Sequence, residues 1–70
     1  MMRIYTNEDD GMESRVIERA DGRFTVQLWD MDADALIGTR IAATDAQACT
    51  IARQWAGLDY KPGSIVSIMV

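Results

Sequence analysis

Histidine is absent from this 70-residue chain, and cysteine occurs once, as Cys49. The first absence removes the commonest general base and the commonest transition-metal ligand. The second excludes an intramolecular disulfide, one of the staples small domains often rely on. No apolar run approaches about 18 residues, so no membrane-spanning helix is expected. The opening Met1-Met2-Arg3 leads into Asn7-Glu8-Asp9-Asp10, which is unlike a signal-peptide core. A lone thiol suits a reducing cytosol, so a cytoplasmic location is expected. Positive charge is also scarce: 7 lysines and arginines face 11 acids, for a net charge of −4. That balance opposes non-specific nucleic-acid binding, which depends on basic side chains neutralising phosphates. It favours a basic partner, or simple solubility.

What is present is a globular composition, 49% hydrophobic. The length allows one small domain over residues 1–70, which buries only about 60% of its unfolded surface. Residues 1–12 stand between a short strand at Met2–Thr6 and a loosely ordered terminus, with Asn7-Glu8-Asp9-Asp10-Gly11 as an acidic turn. Glu13–Ala20 and Arg23–Trp29 read as strands joined at Asp21-Gly22, a hairpin signal. Phe24, Val26 and Leu28 share one face of the second strand, and Thr25, Gln27 and Trp29 the other. A two-residue turn pairs Ile17 with Val26 and puts Arg15 on the core face. A three-residue loop with Gly22 left-handed pairs Val16 with Val26 and Ser14 with Leu28, and is preferred because it keeps arginine out of the core. Leu36–Ala43 follows as a strand, with Ile37, Thr39, Ile41 and Ala43 on one face and Arg40 on the other.

Thr44-Asp45-Ala46-Gln47 is a capping box. It opens a helix expected from Asp45 to Ala56, with Ala48, Ile51, Ala52 and Trp55 as the apolar face and Gly57 as the C-terminal stop. After Pro62-Gly63, Ser64–Val70 is apolar enough for a strand covered on both faces or sealed by dimerisation. The expected fold is α+β: an antiparallel sheet of about four strands, β-β-β-α-β, with one helix on a single face.

The densest charge feature is Asp30-Met31-Asp32-Ala33-Asp34. Its D-x-D-x-D spacing resembles the start of a calcium loop. The sixth position is Ala35 where glycine is needed, and the twelfth is Ile41 where a bidentate glutamate belongs. The segment is read instead as a solvated hairpin tip, or as a protein-binding loop whose carboxylates meet arginines and lysines. Trp29 falls on the face opposite the core residues, where Met31 or the N-terminal segment covers it or where it anchors an interface. The candidate partner-binding residues are therefore Trp29, Asp30, Met31, Asp32 and Asp34, with Glu8, Asp9 and Asp10. Arg15, Arg19, Arg23 and Arg40 lie on neighbouring strands, with Glu13 and Glu18 as expected neutralising partners. Cys49 has no histidine to activate it, and no nucleophile motif or phosphate loop is present. A non-enzymatic protein with no cofactor and no metal is expected.

Gly22-Arg23-Phe24-Thr25-Val26-Gln27-Leu28 and the run Thr44–Trp55 give a three-strands-then-helix order over Ser14–Ala56. That order resembles integrase amino-terminal and AP2-type DNA-binding domains, which implies a sheet reading the major groove. The size, acidity and β-β-β-α order also resemble small anti-CRISPR proteins of phages and mobile elements. That second resemblance implies an inhibitor in a bacterial cytoplasm, acting by steric occlusion or nucleic-acid mimicry on a basic surface such as a CRISPR effector subunit. A homodimer, sealed through Ile65–Val70 or through the face bearing Trp29, is the third expectation.

Overall fold

The computed structural model describes residues 2–58. Strands β1 (Met2–Asn7), β2 (Met12–Glu18), β3 (Phe24–Asp30) and β4 (Ala35–Ala42) form one antiparallel sheet in that order. Helix α1 (Asp45–Ala56) packs on one face, mainly against β2 and β3. The fold is α+β, a four-stranded meander backed by one helix. The fourth strand is β1, at the N-terminal side. The expected strand Ser64–Val70 lies outside the described residues.

Of the two readings of the N-terminus, a short strand at Met2–Thr6 or a loose end, the structure has the strand, one residue longer. β1 runs beside β2 from Met2↔Ile17 to Asn7↔Met12. Alternation turns Arg3, Tyr5 and Asn7 towards α1, and each finds a partner there. Arg3 pairs with Asp45 at the start of the helix, Tyr5 packs against the core, and Asn7 Nδ2 donates to the Ala56 carbonyl at the end of the helix (2.7 Å).

The β2–β3 hairpin adopts the three-residue loop. Ser14 faces Leu28 and Val16 faces Val26. Arg19 N donates to Arg23 O (2.8 Å), Gly22 N donates to Arg19 O (3.2 Å), and Gly22 takes φ +86°. Only glycine adopts that left-handed backbone without a Cβ penalty. The register sends Val16, Val26 and Leu28 into the core and Arg15 to the opposite face.

Val16 and Val26 are fully buried, and with Leu28 and Ala42 they pack against Ala48, Ala52 and Trp55. The helix alanines let α1 lie close to the sheet. Gly38 faces the Trp55 indole, and a Cβ there would make an ordinary contact 3.7 Å from Trp55 Cη2. Helix boundaries follow local chemistry. Thr44 Oγ1 accepts from Gln47 N (3.1 Å), while the Gln47 side chain accepts from Ala43 N (3.3 Å), one residue earlier than the expected Thr44 amide. At the other end Gly57 has φ +81°, Gly57 N donates to Gln54 O and Leu58 N donates to Arg53 O, closing a Schellman motif.

Strand β4 carries an irregularity opposite Leu28/Trp29, so Leu28 faces Gly38 and Trp29 faces Leu36, with Ile37 as the extra residue. Arg40, opposite Val26, is on the helix side. Ile41 and Thr39, opposite Thr25 and Gln27, are on the face that α1 leaves uncovered.

Candidate functional site

In a meander, alternate turns gather at the same end of the sheet. The β1–β2 turn carries Glu8, Asp9 and Asp10; the β3–β4 turn follows Asp30 and carries Met31, Asp32 and Asp34. They are joined by Met31 N donating to Gly11 O (2.8 Å). Asp32 also lies against Gly11, where a Cβ would sit 2.9 Å from Asp32 Oδ2. The two acidic segments, well separated along the chain, therefore form one surface.

Each turn is shaped by its own polar side chains. Asn7 Oδ1 accepts from Asp10 N (3.3 Å), and Asn7 Nδ2 donates to Asp10 Oδ2 (3.3 Å) as well as to the helix carbonyl. Asp30 Oδ1 accepts from Asp32 N (3.0 Å) and Ala33 N (3.2 Å), an Asx turn that occupies one of its oxygens. Asp34 takes φ +52°, a backbone state aspartate tolerates better than most residues.

Glu8, Asp9, Asp10, Asp30, Asp32 and Asp34 take part in none of the ion pairs formed among the described residues. The C-terminus of α1, with its partial negative charge, ends beside them through Asn7 and Gly57. A shallow depression of about 330 Å³ lined by Thr6, Asn7, Glu8, Asp9 and Leu58 opens at the same place. The sequence points to the six carboxylates but not to Asn7 or the helix end. The Asn7-x-x-Asp10-Gly11 turn pattern is the available signal for Asn7. Among the described residues no group of three or more acidic or thiol side chains is arranged to hold a metal ion.

Trp29 immediately precedes Asp30 at this end of β3, with its side chain on the sheet face away from α1. Its expected cover is Met31 or the N-terminal segment. The group lying over it is instead Arg15, whose guanidinium carbon is 4.3 Å from the ring centroid. Trp29 Nε1 donates to Gln27 Oε1 (3.0 Å), and Met31 is exposed in the tip. Arg15 is itself held by Glu13 (2.6 Å).

The expected role of Glu18 as a neutralising partner is taken by Asp21, because the hairpin loop folds its carboxylate back between two arginines. Asp21 pairs with Arg19 (3.2 Å) and Arg23 (3.0 Å) and accepts from Arg23 N (3.0 Å). The Arg23 amide and guanidinium, helped by Arg19, hold its carboxyl well below the usual range, at about 2. Arg15, Arg23 and Arg40 therefore do not form one unpaired basic face: two are bonded to acids, and Arg40 projects from the other side of the sheet.

At the start of α1, the Arg3 guanidinium spans both Asp45 oxygens and donates to Cys49 Sγ (2.7 Å). This contact lowers the Asp45 pKa and raises that of Arg3. The Tyr5 hydroxyl is pushed up by its interaction with the Cys49 thiol and by partial burial. The cluster ties β1 to the helix and leaves Cys49 half-buried rather than fully buried.

Comparison with family models, with curated proteins and with solved structures found no match to this chain.

Proposed function

We propose that this is a non-enzymatic binding protein whose acidic end docks on a basic surface of another protein, covering a face that the target uses to hold nucleic acid. One observation carries this reading: two acidic turns are tied together at one end of the sheet, and their six carboxylates take no ion pair among the described residues. Of the four described acids elsewhere, Glu13, Asp21 and Asp45 are engaged by arginines of the same chain and Glu18 is not. Carboxylates with no ion pair among the described residues, presented on short, hydrogen-bonded turns, suit charge-assisted bonds to arginine and speed encounter with a basic partner. A CRISPR effector subunit, or any protein with an arginine-lined nucleic-acid groove, has a surface of that kind. Occlusion of the groove is the mechanism, and no chemistry is required of the inhibitor.

The test replaces Asp30, Asp32 and Asp34 together with asparagine, which keeps the Asx turn and removes the charge. Binding of the wild-type chain to a labelled arginine-rich peptide is measured by fluorescence anisotropy at low and physiological salt, where the Debye length falls from about 30 Å to about 8 Å. The expected result is tight binding at low salt that weakens with salt, and a triple variant with lower affinity and a shallower salt slope. Equal affinity of both proteins at low salt overturns the role of this end. Duplex DNA is the control ligand: a mobility shift with DNA at low salt favours a DNA-binding sheet instead.

A further inference from the structure

Among the described residues the sheet has one face packed by α1 and one face that no element covers, and that second face is not polar. Met2 and Ile4 on β1 are 54% and 50% exposed, and Leu36, Ile37 and Ile41 on β4 are 48%, 52% and 48% exposed. All five project away from the helix. An antiparallel sheet with a solvated face ordinarily alternates apolar inward and polar outward. Here the two outer strands break that rule on the same face, while the inner strands set Arg15 beside Gln27 at its centre, flanked by the half-buried Ile17 and Trp29. We infer that this face is an interface with a second copy of the same chain.

The pattern is self-complementary under one two-fold axis, running along the strands through the middle of the face. Such an axis lays β1 of one protomer over β4 of the other. The register places Met2 and Ile41 in the same cross-strand row, and Ile4 and Thr39 in the next. Met2 then meets the partner's Ile41, Ile4 meets the partner's Thr39, and Arg15 lies over the partner's Gln27. The perpendicular two-fold axis sets Arg15 against the same residue of its partner, a like-charge contact, and is disfavoured. The available area is sufficient. Four strands of about seven residues cover roughly 20 by 23 Å, or about 450 Å² per copy before side-chain relief. Two such faces with their side chains reach the roughly 1,200 Å² at which specific interfaces begin. Dimerisation also answers the small-domain problem, since neither a disulfide nor a large core is available to this chain.

The arrangement predicts a distinctive salt response. An axis along the strands leaves both acidic ends on the same side of the dimer, so their mutual repulsion weakens association at low ionic strength. Salt tightens the dimer, whereas salt weakens docking of the acidic end on a basic partner. The two readings therefore fail separately.

Sedimentation equilibrium of the full chain tests the inference. The expected result is a monomer–dimer equilibrium with a dissociation constant on the order of 10 μM, in the range of small interfaces, and a smaller constant at higher salt. A chain carrying Ile4→Lys and Thr39→Lys, and another carrying Ile4→Glu and Thr39→Glu, each lose dimerisation by about 100-fold or more. Mixed together they recover a heterodimer. Circular dichroism checks that both remain folded, and if the Ile4 change unfolds the chain, Thr39→Lys alone replaces them: it sets an unpaired charge against the partner's Ile4 and lowers dimer affinity by about 10-fold or more. A wild-type monomer up to about 1 mM overturns the inference. So does a dimer indifferent to these charges, which places the interface elsewhere. So does a monomer in which Ile4→Glu lowers stability, because the face is then covered by residues 59–70 of the same chain.

Discussion

Gly11 joins the fold to the candidate site, and Gly11→Ala is the sharpest probe of that link. Its backbone is left-handed, at φ +67°, and its missing Cβ leaves room for the Asp32 carboxylate. An L-residue in that region costs about 1–2 kcal/mol. Alanine offsets about 0.4–1 kcal/mol of this by restricting the unfolded chain. The Cβ would also fall 2.9 Å from Asp32 Oδ2, so Asp32 must turn aside. Because that atom is the end of a flexible side chain, the added cost is about 0.5–1.5 kcal/mol. The net loss is about 1–2 kcal/mol, against a total stability of about 3–10 kcal/mol for a domain this size. Urea unfolding followed by circular dichroism measures it, and the melting temperature falls by about 4–8 °C per kcal/mol. Gly22→Ala is the comparison, since it shares a left-handed backbone (φ +86°) but a Cβ there would meet no atom within 4 Å. Gly11→Ala therefore costs more than Gly22→Ala, and adding Asp32→Ala brings the two together. Gly11→Asn costs less than Gly11→Ala despite its size, because asparagine tolerates the left-handed region. If asparagine is the more damaging, or if Asp32→Ala changes nothing, the contact between the two acidic turns is not what Gly11 protects.

Three other outcomes are expected. Trp55→Ala removes the largest side chain of the core, and a loss of about 3–5 kcal/mol leaves little cooperative unfolding in a thermal melt. Ser14 is fully buried and its hydroxyl has no hydrogen-bond partner among the described residues, so Ser14→Ala is neutral or stabilises the fold by up to about 1 kcal/mol in urea unfolding; a clear loss of stability would reveal a partner for that hydroxyl. Asp21 binds its proton more weakly in the folded state, with a pKa lowered from 3.8 to about 2. Its contribution is complete above about pH 4 and is lost as pH falls towards 2, and Asp45 shifts in the same direction. Acid unfolding of Asp21→Asn is accordingly less steep in that window than acid unfolding of the wild type.

Local chemistry makes much of this fold legible. Thr44 and Gly57 bound the helix at Asp45–Ala56, and the demand that Arg15 stay out of the core selects the Val16↔Val26 register. That register also carries the clue to Trp29. With Arg15 opposite Gln27, Trp29 is its diagonal neighbour, within reach of a long guanidinium side chain. β1 is harder to read, because its order comes from contacts far along the chain: Arg3 with Asp45, and Asn7 with Ala56. The apolar outer strands are visible as residues but not as a surface. Alternation already places Ile37 with Ile41, but the irregularity at Leu28/Trp29 brings Leu36 onto the same uncovered face, and nothing in the alternation of Leu36–Ala43 announces that.

The meeting of the acidic turns follows from chain order rather than from attraction. Like charges brought together cost free energy, and this end gathers six carboxylates and a helix C-terminus with no arginine ion-paired to those carboxylates among the described residues. A meander of four strands leaves two turns at one end and one at the other. The single turn carries Arg19 and Arg23 around Asp21, so charge separates along the strands. The same arginines placed in the first or third turn would have neutralised that end without disturbing the fold, since both turns are solvent-exposed and shaped by Asn7, Gly11 and Asp30. Carboxylates gathered here with no ion pair among the described residues are what the proposed docking on a basic surface would use. Converting Glu8 and Asp9 to arginine provides the corresponding measurement: stability rises as repulsion is relieved, while affinity for the arginine-rich peptide falls. If stability does not rise at low salt, the carboxylates do not repel one another enough for their clustering to carry meaning.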